Sequence, residues 1–113
     1  MIAALFFVAA VMTDPAPQAP HRGGNFASYI SDTDYPAEAI RRGEEGIVGF
    51  TIEVSPQGRV AACSVTVSSG SAALDAATCR LLAERARFIP ARNDRGEAVS
   101  DIVNGRIRWQ LPD

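Results

Sequence analysis

Apolar residues alternate with glycine or polar residues without exception over residues 48–54, and this pattern predicts a β-strand that opens at Gly46. The apolar positions share one face of the strand: Val48, Phe50, Ile52 and Val54. A period of two is typical of a strand with one buried face. A turn of sequence Ser-Pro-Gln-Gly follows at residues 55–58, and a second strand is predicted from Arg59 to Ser68. Two strands joined by so short a turn predict an antiparallel hairpin.

The second predicted strand also has two faces. One face carries Ala61, Cys63, Val65 and Val67, and the other carries Ala62, Ser64 and Thr66. Because successive side chains of a strand point to opposite sides of the sheet, we expect all four residues of the first set to share one side.

Two further segments show helical features. A short helix is predicted from Tyr35 to Gly43, since Pro36 suits a first helical turn and glycine suits a left-handed helix end. A longer helix is predicted from Ala72 to Arg87, after a Ser-Gly-Ser break that offers an N-cap. Its apolar arc is formed by Leu74, Thr78, Cys79, Leu81, Leu82 and Ala86. The charged residues on the opposite side are interpreted as a solvated face.

Alternation returns at residues 98–111, which predicts the last strand. One face holds Val99, Val103, Ile107, Trp109 and Leu111, and the other holds Ser100, Asn104, Arg106, Arg108 and Gln110. Gly105 falls on the apolar face and indicates a bulge or a close approach of backbone. The predicted order is α-β-β-α-β. It corresponds to an α+β fold, a two-layer sandwich with two helices on one face of an antiparallel three-stranded sheet and a polar opposite face.

The first 34 residues differ in character from the rest. Ile2 to Met12 are eleven consecutive apolar residues, too few for the roughly 20 of a membrane-spanning helix but within the length of a secretory-signal core. Residues 1–13 are therefore predicted as an export signal; a short anchor, a start further upstream and a buried core segment are the alternatives. Residues 14–34, rich in proline and glycine, are predicted as a linker, and residues 35–113 as the domain.

Charge and residue types exclude several classes of function. The net charge is −2 and the basic residues are scattered, which argues against nucleic-acid binding. His21 is the sole histidine and lies in the predicted linker. No base is therefore available to activate the serines at residues 68–71. The sequence predicts no catalytic residue, metal site or cofactor, and the protein is not expected to be an enzyme.

The two cysteines, Cys63 and Cys79, are predicted to form a disulfide. An even number of cysteines in an exported chain favours pairing. Cys63 lies five residues before the end of its strand, and Cys79 about eight residues into the returning helix, so both approach the strand–helix interface. Two buried free thiols or a redox pair are the alternatives, although a C-x-x-C motif is absent.

Several short motifs occur in a characteristic order. They are Tyr35-Pro-Ala-Glu-Ala-Ile, the glycines Gly43 and Gly46, Val54-Ser-Pro-Gln-Gly-Arg-Val, Ser68-Ser-Gly, Leu74-Asp-Ala-Ala, Ala86-Arg-Phe-Ile-Pro-Ala and Ile107-Arg-Trp. Together they cover residues 35–112, and their order and spacing resemble the C-terminal domain of TonB-type energy transducers.

The resemblance implies a periplasmic, non-enzymatic domain in energy-coupled transport. It implies that the extended N-terminal box of an outer-membrane receptor adds beside the last strand, and that an inner-membrane proton-driven motor supplies force. The implied pairing residues are Ile102, Val103, Asn104, Gly105, Arg106, Ile107 and Arg108. The two arginines would attract acidic partner residues; the alternative is that they blunt the edge against aggregation. A second hypothesis is a free periplasmic module that docks on other proteins or forms a homodimer, with no energy-transducing role.

Overall fold

The computed structural model describes residues 26–112, which fold around one three-stranded sheet. Its strands are β1 (Gly46–Val54), β2 (Val60–Val67) and β5 (Asp101–Trp109), in the order β2-β1-β5 with both pairs antiparallel. Two short strands, β3 (Ala91–Arg92) and β4 (Ala98–Val99), pair with each other in a separate hairpin that precedes β5 in the chain. The last predicted strand is therefore divided in two at Ser100, and only its second part joins the main sheet.

Residues 26–112 contain two α-helices, of which the second packs on the sheet and the first contacts the second. The first, α1 (Ala37–Arg41), follows Pro36, and the second, α2 (Ala72–Arg85), follows the N-cap residue Ser71, whose hydroxyl accepts a hydrogen bond from Leu74 N at 3.2 Å. The predicted α+β architecture is confirmed. No helix among residues 26–112 combines the length and apolar character that crossing a membrane requires.

The core lies between α2 and one face of the sheet, here called the helix face; the opposite side is called the open face. The largest fully buried side chains come from β1 and α2: Val48, Phe50, Ile52, Val54, Leu74, Thr78 and Leu82. Thr78 is a buried polar residue whose hydroxyl donates to Leu74 O and accepts from the Trp109 indole, each at 2.8 Å. Both of its hydrogen-bonding directions are thus satisfied, which removes the cost of burying it.

Core residues are found up to nine positions before the predicted boundary at Tyr35. Two 3₁₀ turns, Phe26–Tyr29 and Asp32–Asp34, precede α1. Phe26 is 2% exposed and meets the ring of Phe50 edge-on at 5.0 Å between centroids. Residues 26–34, predicted as the end of a linker, therefore supply core side chains, because aromatic burial outweighs the extended preference of the neighbouring sequence. The predicted signal at residues 1–13 and linker at 14–25 lie outside the described residues.

The predicted disulfide is confirmed. Cys63 on β2 is bonded to Cys79 on α2, with 5.6 Å between their Cα atoms. Cys63 is paired with Ile52 of β1, so it projects from the helix face of the sheet towards α2. The bond ties an edge strand to the helix that covers the sheet.

Candidate protein-binding edge

Strand β5 forms one edge of the main sheet. Among residues 26–112 its strand partner is β1 alone, and β2 forms the opposite edge. Every residue of the predicted pairing segment, 102–108, lies within β5. An edge strand directs alternate N–H and C=O groups away from its neighbour, so β5 presents a row of backbone donors and acceptors on its outer side.

The side chains of the predicted segment divide between the two faces of the sheet. Val103, Gly105 and Ile107 lie on the helix face, opposite the buried residues of β1. On the open face are Ile102, Asn104, Arg106 and Arg108, all exposed. Within residues 26–112 neither arginine takes part in a salt bridge. The open face of β5 therefore offers one apolar residue, one amide and two available positive charges.

Gly105 has a structural role on the helix face. A Cβ atom built there would lie 2.5 Å from the Phe26 ring and 2.8 Å from the Phe50 ring. Such distances are too short for a side chain, which explains why glycine interrupts the apolar face of this strand. The close backbone approach inferred from the sequence is thus the packing of Phe26 against β5.

The C-terminal end of β5 is held by several side chains. Trp109 is buried, donates to Thr78, and meets the ring of Tyr35 edge-on at 5.2 Å. Just beyond the strand, Leu111 N donates to the Glu45 carboxylate at 2.8 Å. Burial raises the pKa of Tyr35, and the nearby carboxylates of Glu45 and Glu44 add to that effect. The contacts of Trp109 and Leu111 therefore hold the C-terminal end of β5 in place without a partner.

A groove of about 230 Å³ runs beside the same end of β5. One wall is the last part of the strand and the residue after it, 107–110, and the other comes from residues 27–32, with Tyr35 between them. No residue of β1 lines it, so the groove lies on the outer side of the edge strand. The second wall was not predicted from the sequence; the available signal was the aromatic pair Phe26 and Tyr29, one helical turn apart in a polar segment.

The second wall is fastened to α2 by Arg85. Its guanidinium donates to both carboxylate oxygens of Asp34, at 2.7 and 2.8 Å, and to Tyr29 O at 2.9 Å. These hydrogen bonds from Arg85, with a further one from the Ser31 backbone, hold the pKa of Asp34 well below its usual range. The Tyr29 hydroxyl in turn donates to Arg87 O at 3.0 Å. Residues 29–34 are thereby linked to the end of α2.

The serines at residues 68–71 serve the start of α2. The Asp75 carboxylate accepts from Ser69 N at 2.9 Å and from the Ser69 hydroxyl at 2.8 Å, and also bonds the Ser68 hydroxyl. Burial alone would raise the pKa of Asp75, but these hydrogen bonds outweigh it and lower the pKa. Within residues 26–112 no three His, Cys, Asp or Glu side chains are grouped as a metal site would require. The serines and Asp75 thus hold the N-terminal end of α2 in place.

Solved structures share this fold. The solution NMR structure of the Pseudomonas aeruginosa TonB C-terminal domain is 26% identical, with a TM-score of 0.58 over 70% of this chain and 78% of that one. The Helicobacter pylori TonB C-terminal domain is 22% identical, with a TM-score of 0.56 over 76% of this chain and 77% of that one, and shows the fold alone.

Sequence comparison agrees with the structural likeness. "Protein tonB2" of Pseudomonas aeruginosa is 40% identical over 68 residues, which are 60% of this chain and 24% of that protein. The chain thus spans about a quarter of the length of that relative. The family model described as Gram-negative bacterial TonB protein C-terminal matches residues 31–111. The chain belongs to the TonB C-terminal domain family.

Proposed function

We propose that this domain binds extended segments of outer-membrane receptors in the periplasm and acts as the receptor-binding end of a TonB-type energy transducer. The observation that carries the proposal is the outer edge of β5, which has no second strand partner among residues 26–112 and is bordered by a groove whose outer wall is residues 27–32. A strand added to this edge pairs its backbone with the outward N–H and C=O groups of β5.

Side chains on the open face define the chemistry of the partner. Arg106 and Arg108 are two residues apart and on the same face, so they attract carboxylates with the same spacing on an added strand. Ile102 lies at the other end of that face and is 60% exposed, which suits an apolar partner residue. We propose that the partner segment is extended, acidic near one end and apolar near the other.

The N-terminal attachment of the domain suits the transmission of force. The described chain enters through residues 26–34, which Arg85 and Tyr29 fasten to α2. The Cys63–Cys79 bond then links α2 to β2. A pull delivered from an inner-membrane proton-driven motor would thus be shared between helix and sheet before it reaches the receptor segment paired with β5.

A titration followed by NMR tests the proposal. The full chain, oxidised and isotope-labelled, is titrated with synthetic peptides that copy the N-terminal boxes of outer-membrane receptors from the same genome. We expect amide shifts concentrated in residues 102–110 and slowed hydrogen exchange of alternate amides of β5. Shifts confined to β2, or none together with concentration-dependent dimerisation, would refute receptor binding at β5 and favour the free dimerisation module.

Methylated peptides separate strand addition from side-chain contact. In a strand added to β5, alternate backbone N–H groups of the box peptide point towards β5 and the others point away from it. Two peptides are made, each N-methylated at one of these two sets of nitrogens. We expect methylation of the set that points towards β5 to abolish binding, and methylation of the other set to preserve it. As a charge test, replacing Arg106 and Arg108 by glutamine is expected to weaken binding at low salt, whereas the same change at the exposed Arg41 and Arg42, at the end of α1, leaves binding unchanged.

A further inference from the structure

The open face of the sheet carries a groove that the sequence pattern does not predict. It has a volume of about 380 Å³ and crosses all three strands of the main sheet. Its lining residues are Ile47, Gly49 and Phe50 of β1, Thr66 and Val67 of β2, and Asn104, Gly105 and Arg106 of β5. The alternation along the strands had predicted a polar face here, so the aliphatic side chains of Ile47 and Val67 differ from the prediction.

A β-bulge creates one side of this groove, called here the open-face groove. Phe50 is paired with Val65 and its neighbour Gly49 with Val67, so Thr66 is an extra residue in β2. The bulge turns Val67 to the open face, whereas the sequence pattern placed it with Cys63 and Val65. Bulges re-aim side chains in this way and are frequent beside functional sites.

Gly49 leaves the centre of the groove empty. A Cβ atom there would lie 3.0 Å from Cβ of Val67 and 3.4 Å from the Thr66 hydroxyl, so a side chain would fill the space. Two aliphatic side chains border the gap: Val67 is 62% exposed and Ile47 is 39% exposed. Single exposed apolar residues are ordinary, but a pair around a preformed depression is typical of an interaction site.

The rim of the open-face groove is positively charged and continuous with β5. Arg106 lines the groove and forms no salt bridge within residues 26–112. Its strand, β5, is also the edge to which a partner strand is proposed to add. Strands lie about 4.8 Å apart, so an added strand would run about 10 Å from β1 at Gly49. Receptor residues that flank the added strand can turn back over the open face of β5 and so bring a side chain to this gap.

We propose that the open-face groove is a second docking site for the same receptor, resting on the proposed strand addition at β5. Its occupant is an aliphatic side chain of the receptor, outside the box, that enters the gap at Gly49 between Ile47 and Val67. Arg106 lies between the added strand and the groove, so in addition to its role towards the box it attracts a carboxylate close to that side chain. The receptor is thereby gripped at the sheet edge and on the sheet face, which restricts how it rotates about the paired strand.

The test compares two probes on the same variants. One probe is the box peptide that binds the wild-type chain most tightly, and the other is the intact receptor from which that box was copied, purified in detergent. Val67→Lys and Ile47→Lys are expected to weaken binding of the intact receptor by roughly tenfold or more and to leave box-peptide binding unchanged, because the lost contact is apolar burial outside the box. Ile40→Lys on α1 is the matched control, since Ile40 is 50% exposed and lies outside the groove.

The outcomes separate this inference from the proposed function. If the wild-type chain binds neither probe, strand addition fails and the second site fails with it. If both probes bind the Val67→Lys and Ile47→Lys variants as tightly as wild type, the open-face groove is refuted while strand addition stands. An equal loss for both probes also refutes it, since the groove would then act only through β5. Self-association that Val67→Lys abolishes without affecting the receptor would assign the groove to a second copy of this chain.

Discussion

Replacing Gly58 by alanine tests how the β1–β2 turn is locked to the core. Gly58 has φ of +81°, and a Cβ atom built there would lie 2.2 Å from the backbone oxygen of Phe88. The Phe88 side chain is buried, and Phe88 N donates to Gly58 O at 2.8 Å. The substitution therefore meets rigid backbone, and the hydrogen bond that joins the two segments has to yield.

Gly96 is the matched control for that substitution. It has nearly the same φ, +78°, but nothing lies within 4 Å of the position a Cβ would take. A left-handed alanine costs about 1–2 kcal/mol, and the smaller entropy of the unfolded chain returns about 0.4–1 kcal/mol. Gly96→Ala is thus expected to lower the free energy of unfolding by about 1 kcal/mol.

The difference between the two variants measures the steric conflict at Gly58. Disrupting the buried Phe88–Gly58 hydrogen bond adds about 1–3 kcal/mol, so Gly58→Ala is expected to cost about 2–4 kcal/mol in total. Urea unfolding of both oxidised variants, followed by circular dichroism, gives the two free energies. Equal losses at the two glycines would show that φ alone matters and that the contact with Phe88 has no energetic role.

Two further predictions concern stability. Replacing Cys63 and Cys79 by alanine is expected to lower the free energy of unfolding by about 3 kcal/mol, because the bond closes a loop with a sequence separation of 16. Guanidinium unfolding with and without reductant checks this: reductant should destabilise the wild type and leave the double variant unchanged. The second concerns Asp34, whose pKa lies well below its ordinary value of 3.8 because of its hydrogen bonds with Arg85. The wild type is therefore expected to have a higher free energy of unfolding than Asp34→Asn, with the full difference above pH 3.8 and a smaller one as the pH falls below it. Paired urea titrations over this pH range measure the difference. A difference that does not change with pH would contradict the ion pair.

Much of the fold was predictable because its signals are local. Alternation over residues 48–54, with Gly46 as the opening residue, identified β1 with its observed bounds, and Ser71 was recognised as lying in the break that caps α2. The position of β5 at the sheet edge followed from the family resemblance, and the structure places it there. Its role in binding a partner stays a prediction.

The sequence carries only a weak signal for residues 27–32, the second wall of the groove beside β5, and the reason is physical. Phe26 and Tyr29 are isolated aromatic residues with no periodic pattern around them. They join the core because Gly105, about eighty residues later in the chain, leaves room for the Phe26 ring, and because Arg85 fastens Asp34. These contacts depend on distant segments meeting, which no local pattern encodes.

The sequence by itself determined β1, β2, the two helices, the disulfide partners and the family, since periodicity, capping residues and residue spacing act over a few neighbours. Only the tertiary structure decided the shape of the two grooves. One arises where residues 27–32 pack beside the edge strand, and the other where the bulge at Thr66 turns Val67 towards the gap at Gly49. A single extra residue in a strand reverses which side the next side chains occupy, and that choice is made by the pairing of two strands rather than by either strand alone.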